Sequence, residues 1–289
     1  MKTIAAIFLL FLSRLPVTAQ HGGGGSHPVP PTQATSQPRP SEVPSANNRW
    51  DENDLIYGKG ANQISPKIGN EDNCFLPPLN GLTPASVTVS DLQVPAKAKR
   101  EHDAGCLALG KGKLVDAGNH FRKAVNRWPK YSAAWVVLGQ ILEAQQQIKA
   151  STDACSRPLN AEPAYVLSYL CLADISARSQ NWNEVLSLSN RALAINSSLA
   201  VAYDYNAAAN LHLHNLFEAE KSALKAAEID KANLDPRVHF LLAQIYEAKG
   251  DRTREAGQLR EYLKYASDPN DVSMVKKYLS EIQKATNSP

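Results

Sequence analysis

The chain has 289 residues, of which 43% are hydrophobic, and a formal net charge of +3. This length allows one or two domains with a substantial apolar core, and the small charge excludes the dense basic surface that nucleic-acid binding requires. Seven histidines and four cysteines are scattered without the spacing of a metal site. We find no nucleophile with a base and no phosphate-binding loop. We therefore expect no cofactor and no enzymatic activity.

The N-terminus has the layout of a signal peptide. Lys2 precedes an apolar run, Ile4 to Leu12, and Val17-Thr18-Ala19 supplies the small residues that a signal peptidase recognises. The run is too short to span a bilayer as a stable helix. We expect residues 1–19 to be removed, so that the mature chain begins at Gln20. The protein would then be exported, either periplasmic or secreted, without stable membrane insertion.

Residues 20–96 are predicted to be a linker. Gly, Pro, Ser, Thr and Gln predominate from Gln20 to Ser45, a composition typical of disordered tethers. Alternation from Val87 to Leu92 predicts a short extended strand. The apolar cluster from Cys74 to Leu79 is too hydrophobic for a simple tether. We expect the latter part of the linker to dock on the first helical unit, because terminal units of a stack need capping.

From Ala98 to Asp268 the sequence repeats with a period of 34 residues. Pro129 and Pro163 are one period apart, and each follows a helix-like run. Within a unit, Ala117, Phe121 and Ala124 have the spacing of one helix face. Further residues align at the same period: Gly105 with Gly139, Ala173 and Ala207; Ala124 with Pro158, Ala192 and Ala226; Trp135 with Tyr169 and Tyr203; Ala104 with Leu138, Leu172 and Asn206.

This period, with large, small and proline residues at set offsets, resembles the tetratricopeptide repeat. The resemblance implies an all-α, right-handed α-solenoid of about five helix–turn–helix repeats that binds proteins or peptides. The repeat array would span residues 97–268, and residues 269–289 would form a capping helix and tail. The predicted helices are 97–110, 114–127, 131–145, 148–160, 163–178, 182–195, 199–213, 216–230, 235–249, 252–266 and 272–285.

Three repeats depart from the pattern. Pro158 stands late in the second helix of repeat two, which it should shorten or kink. Repeat five is displaced by two residues, and Asp235-Pro236 restarts its first helix with a cap and a proline. Repeat four has Asn206 where leucine is usual in the family.

In tetratricopeptide repeats the first helices line the concave groove. Carried over by repeat position, the predicted protein-binding residues are Ala133, Val136, Gln140, Glu143, Leu167, Leu170, Asp174, Arg178, Val201, Asp204, Ala208, Leu211, His212, Phe240 and Gln244. Chaperone-binding members hold a terminal carboxylate with lysines and asparagines at such positions, and that clamp is absent here. The alternative is that several of these residues pack against the folded-back linker.

The cysteines suggest disulfides. Cys155 and Cys171 stand eight residues before and after Pro163, so they should be level on antiparallel helices. In an exported protein such a pair can be bridged, and the alternative is two separate buried thiols. A bridge between Cys74 and Cys106 would tie the linker to the first repeat.

These observations favour a non-enzymatic scaffold that binds a protein or peptide in a concave groove. The alternative is a structural or assembly factor of the cell envelope that acts by self-association. Neither reading names the partner.

Overall fold

The computed structural model describes residues 74–79, 82, 93–231, 235–266 and 268–286, all within the unit Pro44–Pro289. These residues form only helices, turns and extended segments, with no strand among them. The α-helices are α1 (Ala96–Gly110), α2 (Leu114–Arg127), α3 (Ser132–Ala144), α4 (Ile148–Ser156), α5 (Val166–Arg178), α6 (Trp182–Ile195), α7 (Ala200–His212), α8 (Leu216–Ile229), α9 (Arg237–Ala248), α10 (Arg252–Tyr265) and α11 (Pro269–Thr286).

Three predictions concern residues outside the described part of the chain. They are the signal peptide, the extended tether and the strand from Val87 to Leu92. Within the described part, every helix is too short or too polar to cross a membrane.

The helices pack as a single stack of antiparallel pairs. Each odd-numbered helix packs on the even-numbered helix that follows it. The first helices of neighbouring repeats also touch, α3 with α5, α5 with α7 and α7 with α9. They therefore share one face, the inner face of the stack. Helix α11 packs on α10 at the C-terminal end. The described chain is an all-α solenoid, and the predicted fold class is confirmed.

Small residues at one repeat position allow the two helices of a pair to approach closely. A Cβ atom added to Gly105 would lie 2.8 Å from the Phe121 ring. One added to Gly139 would overlap the sulfur of Cys155. The equivalent Ala173 and Ala207 are fully buried. Steric contact between paired helices therefore explains this part of the repeat.

The turn inside each repeat places one residue in the left-handed region. These residues are Gly112, Gln146, Gln180, His214 and Gly250, with φ between 56° and 74°. At each of them the amide N–H bonds to the carbonyl three residues earlier, and the next N–H bonds to the carbonyl five residues before itself. This is the Schellman closure of a helix C-terminus, in which glycine is favoured. Three of the five turns do without glycine.

In repeats two and three an aromatic residue of the first helix bonds to the proline that precedes that repeat. The indole Nε1–H of Trp135 donates to the carbonyl of Pro129 at 2.8 Å, and the hydroxyl of Tyr169 donates to the carbonyl of Pro163 at 2.8 Å. The same bond thus recurs one period apart with a different donor. It explains why large aromatic residues and prolines keep a fixed offset.

Helix boundaries differ from the predicted ones near prolines. Helix α4 ends at Ser156 and continues as a 3₁₀ turn, Arg157–Asn160, because Pro158 has no N–H for an α-helical bond. Helix α5 begins at Val166 instead of 163, since Glu162 to Tyr165 form a turn. Helix α11 begins at Pro269 instead of 272, in agreement with the preference for proline in the first turn.

Asn206, at a position where leucine is usual, is buried, and its side-chain amide is hydrogen-bonded. Its side-chain amide donates to Asn190 Oδ1 at 2.8 Å, and its Oδ1 accepts from the hydroxyl of Ser222 at 2.8 Å. A second acceptor bond comes from Asn210. A polar cluster therefore replaces leucine packing between repeats three and four.

Candidate peptide-binding groove

The inner face of the stack carries the predicted groove residues on the odd-numbered helices. Ten of the fifteen are buried. Ala133, Arg178, Asp204, Leu211 and His212 are partly buried. Most of the predicted groove residues are therefore not accessible on the surface of the protein.

The chain's own segment Cys74–Leu79, called the covering segment below, packs on the inner face. Leu79 is fully buried, and Phe75 and Leu76 are nearly so. The Leu76 N–H donates to Gln140 Oε1 at 3.0 Å, and Gln140 Nε2 donates to the Leu76 carbonyl at 2.9 Å. One side-chain amide thus satisfies both backbone groups of a single residue. The predicted groove position Gln140 therefore binds the backbone of a segment that turns at this point, since the Leu79 N–H donates to the Leu76 carbonyl at 3.0 Å.

A disulfide fastens this segment to the first repeat. Cys74 is bonded to Cys106 on α1, with 5.3 Å between the Cα atoms. The segment reaches farther than the first repeat, because Gln140 lies on α3 and Pro78 lines a cavity beside α7. His102 lies next to the disulfide and stacks on Tyr131. The two sulfurs are bonded to each other, so they offer no thiolate to a metal ion.

The second disulfide joins Cys155 on α4 to Cys171 on α5, with 5.9 Å between the Cα atoms. Both residues are buried. They lie in the stack between repeats two and three, away from the residues of the covering segment. Their bond braces the repeat in which Pro158 ends α4 early.

A chain of charged groups crosses the floor of the groove. Arg178 Nε lies 3.3 Å from Glu143 Oε1 and 3.1 Å from Asp174 Oδ2. The hydroxyl of Tyr205 donates to Asp174 Oδ1 at 2.8 Å. These bonds link α3, α5 and α7. Burial raises the pKa of Glu143 although Arg178 opposes the rise, and the pKa of Arg178 is raised because Asp174 and Glu143 outweigh the effect of its own burial.

The His212 side chain packs within the helical stack and does not act as a charged groove residue. Its ring lies against that of Trp182, with 3.7 Å between centroids and 6° between planes. Burial, with a smaller effect from His214, lowers the pKa of His212 to about 4. The imidazole is therefore neutral at physiological pH and offers no charge to a ligand.

A small cavity lies at the end of the covering segment, between α7 and α9. Its volume is about 30 Å³. Its lining residues are Pro78, Val201, Asp204, Tyr205, Asp235, Arg237, Val238 and Leu241. Arg237 Nε donates to Asp235 Oδ1 at 2.7 Å, and a second bond joins Arg237 Nη2 to Asp235 Oδ2. Burial of the Asp235 carboxyl would raise its pKa, but the bonds from Arg237 lower it overall.

The sequence reasoning missed Tyr205, Asp235 and Arg237. Tyr205 aligns with Cys171 one period earlier, so its repeat position carried no polar signal. Asp235 was read only as a helix cap. The two-residue displacement of repeat five was the available signal, since it falls at the junction where Asp235 and Arg237 form their ion pair.

The fold and groove define an α-solenoid built from helical hairpins, with an inner face that holds the chain's own segment Cys74–Leu79. No family model matches the sequence, and no curated protein matches it significantly. Solved structures place the fold among the tetratricopeptide repeat proteins. A thermophilic protein of this kind from Thermus thermophilus is 16% identical, with a TM-score of 0.53 over 65% of this chain and 99% of the other.

Two further structures agree. A tetratricopeptide repeat protein from Parabacteroides merdae is 15% identical, with a TM-score of 0.53 over 66% of this chain and 75% of its own. Yeast Tom70 is 14% identical, with a TM-score of 0.55 over 65% of this chain and 40% of its own. The chain is a tetratricopeptide repeat protein in fold, as its periodicity predicted.

Proposed function

We propose that the protein is a non-enzymatic scaffold that binds a short, apolar peptide segment of a partner protein in its inner groove. The observation that supports the proposal is the bond pair between Gln140 and Leu76. Bonds to the peptide backbone supply affinity, and the pockets for the peptide side chains supply specificity. Phe75 and Leu79 are buried, so the expected partner segment carries large apolar side chains at similar spacing.

We also propose that the protein acts after export. The signal-peptide layout of residues 1–19 motivates this, and the two disulfides support it because such bonds persist in oxidising compartments. N-terminal sequencing of the mature protein should begin at Gln20. Recovery of a chain that starts at Met1 from the cytosol would refute the export proposal.

The groove can be tested with the chain's own segment as the probe. A fluorescent peptide of residues 72–80, with serine for Cys74, is titrated into wild-type protein and into the Cys74→Ser/Cys106→Ser variant. The untethered variant should bind the peptide more tightly, because its internal segment can leave the groove. Adding Gln140→Ala should weaken that binding on the order of tenfold, since two hydrogen bonds are lost.

Gln147→Ala is the matched control, because Gln147 is exposed at the start of α4. It should leave the affinity unchanged. If the peptide binds the Gln140→Ala and Gln147→Ala proteins equally, Gln140 does not recognise the peptide backbone and the proposal fails.

A second candidate function is a structural or assembly role in the cell envelope through self-association. It is favoured by a surface recess between α6, α7 and α8 that exposes Phe217 and Leu224. Sedimentation velocity should then show a concentration-dependent dimer that Phe217→Lys abolishes. A wild-type protein that stays monomeric at high concentration excludes this function.

A further inference from the structure

The cavity between α7 and α9 stays open beside the covering segment. Val201 and Asp204 come from α7, Val238 and Leu241 come from α9, and Pro78 forms part of the rim. A volume of about 30 Å³ exceeds what one water molecule needs. It also accommodates the terminal group of a slender side chain. The cavity continues the groove beyond the part that the segment covers.

Asp204 brings an unsatisfied carboxylate oxygen to this cavity. Its Oδ1 is buried and has no hydrogen-bond partner. Among the described residues it is the one buried carboxylate oxygen in that state. Buried polar atoms are nearly always bonded, because an unmade bond costs the full desolvation of the group. Because Asp204 lines the cavity, its unsatisfied oxygen marks a place where a hydrogen-bond donor would be stabilising.

The charges around Asp204 favour a cationic donor. On the α9 side, Arg237 is committed to Asp235 through two bonds. Asp230, after α8, accepts from the Asp235 backbone N–H at 2.9 Å. The hydroxyl of Tyr205, on α7 itself, is committed to Asp174. Arg237 is therefore surrounded by three carboxylates, Asp204, Asp230 and Asp235. When all three are ionised, this group of side chains has an excess of negative charge.

The walls match an alkyl chain. Val201, Val238 and Leu241 present apolar surface, and Pro78 adds more at the rim. A lysine side chain fits both the apolar walls and the carboxylate, because its methylene groups pack on apolar surface while its ammonium group binds a polar partner. Arginine would need room for a wider planar head, and a small rounded ammonium group suits the cavity better.

We propose that this cavity is a subsite for a primary ammonium group on an alkyl chain, such as a lysine side chain of the bound peptide, with Asp204 as its ionic partner. The identification of the peptide as the carrier rests on the proposed function, whereas the ammonium subsite itself does not. Alkyl groups contact Val201, Val238 and Leu241, and the ammonium donates to Asp204 Oδ1. A partner with lysine near its apolar residues is the expected ligand.

The subsite has a defined dependence on pH. Burial raises the pKa of Asp204 well above its usual value, Asp235 and Asp230 add to the rise, and Arg237 opposes it. A cation binds to the ionised carboxylate, so binding expels a proton from a protonated Asp204. Affinity should therefore increase as pH rises toward the raised pKa. It should level off above that pKa while the ligand keeps its own charge, below about pH 10.

The probe is n-butylammonium, which reproduces the lysine side chain, and 1-butanol is the neutral comparison. Binding is followed by NMR on full-length oxidised protein with labelled Val and Leu methyl groups. We expect saturable shifts at Val201, Val238 and Leu241, with an affinity that increases as the pH is raised above the ordinary aspartate pKa of 3.8. Asp204→Asn should reduce the affinity roughly tenfold or more and remove the pH dependence. Asp153→Asn, at an exposed position, is the matched control.

Equal binding of 1-butanol and butylammonium would overturn the proposal, and so would an affinity that does not change with pH. Both measurements use wild-type protein, so they decide the matter even if Asp204→Asn does not fold. The experiment is also independent of Gln140. Loss of peptide binding in the Gln140→Ala test with intact butylammonium binding would refute the proposed function alone.

Discussion

The disulfide between Cys155 and Cys171 should be a large part of the stability of the repeat array. It closes a loop with a sequence separation of 16. In the chain-entropy model, closing such a loop lowers the conformational entropy of the unfolded chain and so stabilises the folded protein by about 3 kcal/mol. The bond also holds α4, which has nine residues and ends before Pro158. The Cys155→Ala/Cys171→Ala variant should therefore lose about 3 kcal/mol of unfolding free energy.

Urea unfolding of oxidised protein measures this difference. Cys74→Ala/Cys106→Ala is the informative comparison, because the segment Cys74–Leu79 can leave while the helices remain packed. It should therefore lower the global unfolding free energy by less than the first variant does. Thiol labelling of unfolded, unreduced protein provides a direct check. Four free thiols, or a loss below about 1 kcal/mol for the first variant, would refute the reasoning.

Three further predictions concern single residues. Gln180→Gly should stabilise the protein by about 1 kcal/mol, because Gln180 has φ +56° and glycine adopts this conformation without strain. Gly250→Ala should have the opposite effect, and thermal unfolding of both variants tests the prediction. Arg178→Met should cost about 3 kcal/mol, since it leaves two buried carboxylates without their cation, and unchanged urea unfolding at pH 7 would contradict it. Because burial raises the pKa of Asp204, the stability contributed by its protonated form is complete below the unfolded pKa of 3.8 and is lost as pH rises through the folded pKa. In a pH series of unfolding measurements, the Asp204→Asn variant should not show this loss of stability.

The repeating part of the fold could be predicted from the sequence because its causes are local or periodic. Gly105 and Gly139 are small where paired helices touch, and Pro129 and Pro163 end their units at the same offset. The period therefore fixes the helix pairs and their order. Boundaries near prolines were less accurate, since a turn of a few residues such as the one before Val166 has no periodic signal.

The groove was harder to predict because its contacts join distant parts of the chain. The family pattern identified Gln140 as a groove residue, but Leu76 stands 64 residues away and outside the repeats. No local pattern links the two. Asp204 was among the predicted groove residues, yet its unsatisfied oxygen depends on how α7 meets the junction before α9. The displaced register of repeat five, seen in the sequence, gave no indication of that geometry.

If the inner groove binds a partner peptide as proposed, the tether at Cys74 makes the covering segment an intramolecular competitor of that peptide. Leu76, the residue bound by Gln140, lies two residues from the anchor Cys74, so the effective concentration of the segment is on the order of millimolar or more. A free peptide of equal intrinsic affinity must exceed that concentration to displace the segment while the disulfide is intact. A partner that also occupies the open end of the groove, between α7 and α9, gains free energy that the segment lacks. Under the proposed function, oxidised protein would therefore favour longer partners that reach both ends of the groove.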